Sequence, residues 1–113
     1  MYNMKIVIGF FLALSITASS FSQQYFVEFI VDEVDTFNKA KEVEIELRSN
    51  SDYQLVRMDF NTGRCYIILE ESIKKSEPYF RCQFKKQGYE ISCFYTGVRG
   101  KDPFIDINRG RCD

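Results

Sequence analysis

The chain contains no histidine. That removes the commonest general base and the commonest neutral metal ligand. Serine or cysteine hydrolysis through a histidine partner is excluded with it. No two cysteines have C-x-x-C spacing, so the usual motif of a thiol oxidoreductase is missing. No apolar run reaches the roughly 20 residues of a comfortable membrane span. There is no excess of positive charge either: 15 Lys and Arg face 16 Asp and Glu, which gives nucleic-acid binding no electrostatic support. No internal repeat or low-complexity segment interrupts the chain. Paired-carboxylate chemistry stays formally open, but no acid pair sits in an otherwise apolar segment. These absences point away from catalysis.

What is present begins with an export signal. Lys5 supplies positive charge, residues 6–18 are mainly apolar, and Ala18, Ser19, Ser20 and Ser22 are small. Charge, apolar run and small residues, in that order, make a secretory signal peptide. Cleavage after Ser22 would leave Gln23 first, and cleavage after Ser20 is the alternative. No cysteine lies near this site, which argues against a lipid-anchored precursor. The expected division is 1–22 signal, 23–96 folded domain and 97–113 C-terminal tail. The expected location is secreted or periplasmic, with no membrane span after signal removal. A mature chain of roughly 90 residues can build one small core.

All four cysteines, Cys65, Cys82, Cys93 and Cys112, follow the signal. An even count in a small exported chain points to two disulfides, with free buried thiols as the alternative. Three pairings are open. Cys65–Cys82 with Cys93–Cys112 is preferred, because the tail leaves directly from the last strand and can double back onto it.

Periodicity gives the element order. Residues 25–31 are β-branched and aromatic with one charge, as in a mostly buried central strand. Phe37, Ala40, Val43 or Glu44, and Leu47 then recur at three to four residues, the mark of an amphipathic helix. Asp35 or Thr36 can cap its start. Residues 53–60 alternate, Asn61-Thr62-Gly63 turns, and 64–69 form a partner strand. Ser76, Glu77 and Pro78 suit the start of a second helix, in which Phe80 and Phe84 face a sheet and Cys82 lies beside that apolar face. Gly88 suits its stop, and 89–95 make a fourth strand. The tail carries one apolar piece, residues 104–107, which either adds an edge strand or lies over the open sheet face. The expected fold is α+β: a ferredoxin-like βαββαβ sandwich, with a four-stranded antiparallel sheet, two helices on one face and a C-terminal tail.

Several pieces match in order and spacing: Val43-Glu44 with Leu47, Val56-Arg57-Met58-Asp59, Asn61-Thr62-Gly63, and Lys85-Lys86-Gln87-Gly88-Tyr89. Over about 70 residues the chain resembles the heavy-metal-associated domain, the ferredoxin-like fold of copper chaperones. That family binds soft metals through two cysteines between the first strand and first helix, since thiolates suit such ions. Here those positions fall on Thr36 and Lys39, and the family's methionine position is Val34. The resemblance thus implies a relative that has lost its metal site and carries no cofactor. Asp32, Glu33 and Asp35 offer oxygen ligands nearby, but their spacing is not that of an EF-hand, and acids are common at helix starts.

The leading functional expectation is an exported, non-catalytic binding module. It would meet an unknown protein partner through its sheet face, its edge strand or its weakly basic tail. The alternatives are an exported heavy-metal-binding protein using other cysteines, or a small secreted effector.

Overall fold

The computed structural model describes residues 23–112, so the expected signal lies outside the described residues. The chain forms β1 (Gln24–Val31), α1 (Phe37–Arg48), β2 (Tyr53–Met58), β3 (Arg64–Glu70), α2 (Glu77–Lys86) and β4 (Ile91–Val98), with one 3-10 turn at Glu71–Ile73. The strands make one antiparallel sheet in the order β2-β3-β1-β4. This is the ferredoxin-like α+β arrangement. The fourth strand starts two residues later than expected and runs to Val98, three residues further, so the tail leaves later.

Alternation along β1 divides the sheet into two faces. Val27, Phe29 and Val31 point to the helices, where they join Ala40, Val43 and Leu47 of α1 and Phe80 and Phe84 of α2. Phe29 is the hub: its ring centroid lies 5.7 Å from Phe80, 5.1 Å from Phe84 and 6.2 Å from Phe94. Offset and edge-on aromatic contacts of this kind add to the area they bury. Thr36 is the cap of α1, its side chain accepting from the Lys39 N–H. Ser76 takes the corresponding place at α2 without a side-chain cap bond.

Phe26, Glu28 and Ile30 point to the other face and are also fully buried. Such burial requires a third layer, and the tail supplies it. Of the two places open to residues 104–107, the structure selects the sheet face. Ile107 is wholly buried, Phe104 meets Tyr66 edge-on, and the Ile105 N–H reaches Glu28 Oε1 at 3.4 Å. The tail path also demands Gly97, where a Cβ would come within 3 Å of both the Phe26 ring and Asp102.

One bridge holds this layer. Cys93 and Cys112 are disulfide-bonded with Cα atoms 5.0 Å apart, within the usual range. Between Glu28 and Ile30 the β1–β4 register slips by one, leaving an extra residue on β4, and Cys93 there has φ 56°. This bulge sets the cysteine against the returning tail. The expected Cys65–Cys82 bridge does not form; both thiols are free. Cys65 is buried beneath the helices, whereas Cys82 is exposed. Two helical residues span about 200° of rotation, so a position midway between Phe80 and Phe84 faces away from the sheet rather than beside the apolar face. Among the described residues, no helix is long and apolar enough to cross a membrane.

Candidate functional site

The loop after β1, where the resemblance would place a metal, is closed by the protein's own side chains. Thr36 is committed to the helix cap. Lys39 Nζ donates to Asp35 Oδ1 at 3.2 Å and to the Glu33 carbonyl at 3.3 Å. The ammonium beside Asp35 holds that exposed carboxyl below the usual carboxylate range. Glu33 Oε1 accepts from the Glu90 N–H at 3.3 Å. Two acids of the cluster, Glu33 and Asp35, are thus engaged by internal donors, and among the described residues no three Cys, Asp or Glu side chains converge as a metal site would require.

Arg109 completes the closure, and the sequence reading did not single it out. Its Nε donates to the Asp32 carbonyl at 3.2 Å and its Nη1 to Asn61 O at 2.9 Å. Its Nη2 donates to Phe60 O at 2.9 Å and to Val34 O. The Arg109 N–H adds a bond to Thr62 O at 3.0 Å. One guanidinium therefore joins the loop after β1 to the β2–β3 hairpin. Gly63 makes room for it: φ is +77°, and a Cβ would press the Val31 carbonyl at 3.1 Å and Arg109 Cγ at 3.3 Å. Of the basic residues of the tail, Arg109 turns inward, whereas Arg99, Lys101 and Arg111 are exposed, and Arg99 donates to Gln24 Oε1 at 2.7 Å.

Beneath the tail, Glu28 is wholly buried, with Tyr66 and Tyr95 opposite it on the neighbouring strands. Oε1 has the Ile105 N–H, while Oε2 has no hydrogen-bond partner. Burial pushes this carboxyl above its ordinary value, against the smaller opposing effects of the Ile105 N–H and the Arg64 charge. Arg64 itself pairs with Asp106 at 2.8 Å.

A groove of about 510 Å³ opens beside β2. Ala40, Lys41 and Glu44 of α1 and Phe37 at its start form one wall. Arg57 and Met58 of β2 form the floor with Asp59 and Phe60, and Arg64, Tyr66 and Phe104 close the far side. Helical spacing puts Phe37 on the apolar face of α1, yet it is 61% exposed. It is the first residue of the helix, beyond the covered part of the core, and stands edge-on to Phe60 with ring centroids 6.2 Å apart. Phe104, across the groove, is 56% exposed. Its other face carries the Arg64 guanidinium, 4.9 Å from the ring centroid.

The acids of the groove are internally occupied. Glu44 accepts the outward Met58 N–H at 2.8 Å and lies 3.4 Å from Arg48 Nη2, which in turn donates to Val56 O at 3.1 Å. Asp59 accepts from the Asn61 N–H and the Thr62 hydroxyl, both at 3.0 Å. These bonds also cover the free edge of β2, a common protection against unwanted strand pairing. Lys41 and Arg57 are exposed and neither has an acidic partner among the described residues. Comparison with protein-family models, with curated proteins and with solved structures finds no match to this chain.

Proposed function

We propose that the chain is an exported, non-catalytic module that binds a protein partner through the groove beside β2. The observation that carries this reading is the pairing of two exposed aromatic rings, Phe37 and Phe104, with two cations that have no acidic partner among the described residues, Lys41 and Arg57. A small domain leaves large aromatic side chains in a concave, charged setting at some cost in solubility, and such clusters mark interaction sites. The sheet face lacks the openness needed for docking, and α1 side chains occupy the outward Met58 N–H and Val56 carbonyl of the β2 edge. The missing histidine supports a non-catalytic role. The Cys93–Cys112 bridge is compatible with an oxidising compartment, and the N-terminal charge pattern supports export.

The scaffold is read as a relative of the heavy-metal-associated domain in which structural bonds have replaced the metal site. Thr36 as a helix cap and Lys39 as an internal cross-link support that reading. Photo-crosslinking in the native compartment tests the binding role. A photoreactive residue placed at Phe37 or Phe104 should yield one adduct of defined mass, and the same residue at Gln83 on α2 should not. Equal adducts from all three positions would refute the groove as the binding site.

A further inference from the structure

We infer that the occupant of the groove is an acidic peptide segment carrying at least one large apolar side chain. This rests on the reading of the groove as a protein-binding site and specifies the chemistry of what enters it. The lining supplies two kinds of unused capacity. Lys41 Nζ stands 6.0 Å from the Phe37 ring centroid and Arg64 lies against Phe104, and the ring surface that each leaves to solvent in the groove suits an inserted apolar side chain. Lys41 and Arg57 offer donors with no acidic partner among the described residues, and Arg57 supplies a planar fork suited to a carboxylate.

The acids present decide against other occupants. Glu44 and Asp59 already accept bonds from Met58, Asn61 and Thr62, so they have little capacity left for a basic peptide. Their charges remain in the wall, however, and oppose a continuous polyanion. A strand of nucleic acid would bring its phosphates past both carboxylates, in a chain of net charge −1. A peptide can place one or two carboxylates at the cations and leave the rest of the groove to apolar contact. Backbone pairing along β2 adds little, because Glu44 and Arg48 occupy its outward groups. Specificity therefore comes from side chains. The 510 Å³ of the groove is of the size that holds a few of them.

The test is a nuclear magnetic resonance titration of the isotope-labelled, oxidised chain with three peptides of equal length. One is acidic with a central phenylalanine, one has lysine for every acid, and one is acidic with serine for phenylalanine. A single-stranded oligothymidylate is the fourth probe. The acidic phenylalanine peptide should bind tightest and shift the amides of residues 37–44 and 57–66. Its affinity should fall by about tenfold or more in the double variant Lys41→Glu, Arg57→Glu, as two attractions become repulsions. Lys85→Glu on α2 should leave the affinity unchanged, and the amide spectrum of each variant should confirm that it is folded. Tighter binding of the lysine peptide at the same amides would overturn the acidic assignment and leave the groove as the site. Equal binding of the serine peptide would overturn the apolar half of the proposal. Preferential binding of the oligothymidylate would overturn the peptide assignment. Shifts confined to residues outside the groove would overturn both the inference and the reading it rests on.

Discussion

Replacing Arg109 by Met tests the central claim about how the tail is held. Methionine keeps most of the stem's length and removes every side-chain donor. The four carbonyls that lose a partner are not equivalent. Those of Val34 and Phe60 are partly buried, and those of Asp32 and Asn61 are exposed. Water can replace the guanidinium at the exposed pair, so each of those bonds is worth about 0.5 kcal/mol. The partly buried pair loses a charge-assisted bond that water reaches less easily, about 1.5 kcal/mol each. The expected destabilisation is therefore about 4 kcal/mol, a large share of the 5–15 kcal/mol typical of a small domain. Urea unfolding followed by circular dichroism measures it, with the disulfide intact in both proteins. Arg109→Lys should recover less than half of the loss, because an ammonium has three donors and no fork to span two loops. Hydrogen exchange should accelerate first at the Arg109 amide and the adjoining hairpin. A loss below about 1 kcal/mol for Arg109→Met would mean that the guanidinium does not hold these loops in solution.

Three further outcomes are expected. Replacing both Cys93 and Cys112 by Ser frees a loop of 19 residues and should cost about 3 kcal/mol, read from urea midpoints; no change would remove the bridge as the tail's anchor. Native protein should offer one fast-reacting thiol, Cys82, to a thiol reagent and a second, Cys65, only on denaturation, because burial also pushes the Cys65 thiol up; two fast thiols would contradict the burial of β3. Glu28 has a folded pKa above its unfolded one, so its contribution favours folding at low pH and is lost as pH rises through the folded value. Glu28→Gln should accordingly match the native chain at about pH 4 and exceed it in stability towards pH 7; a difference independent of pH would refute the perturbed carboxyl.

Much of the scaffold is legible in the sequence because its signals are local. The alternation of β2, the Asn61-Thr62-Gly63 turn and the periodic apolar residues of α1 each announce an element within a few residues. The third layer has no such signal. Residues 104–107 form irregular backbone, and their partners lie on β1 and β3, far away in the chain. Arg109 is harder still to foresee, since the acceptors of its side chain are backbone carbonyls, 48 residues away at the nearest and 77 at the farthest, and any residue type supplies a carbonyl. The groove is hidden for a related reason. Phe37 has the spacing of a core residue, and only the end of the covered sheet shows that it overhangs. Cys82 is the opposite case: helix geometry alone places it away from Phe80 and Phe84.

The covering of the second sheet face also imposes an order in time. The central strand β1 is made first, yet its pairing with β4 joins residues as far apart as Tyr25 and Val98. The segment that shields Phe26, Glu28 and Ile30 is synthesised after every strand. A chain emerging from a ribosome can close its helix-side core while this other face still meets water. Joining Cys93 to Cys112, in which an external thiol oxidant takes up two electrons from the pair of thiols, must wait for the same segment. Folding thus ends with a late docking step, and the interval before it is when the aromatic face is open to aggregation or to a chaperone.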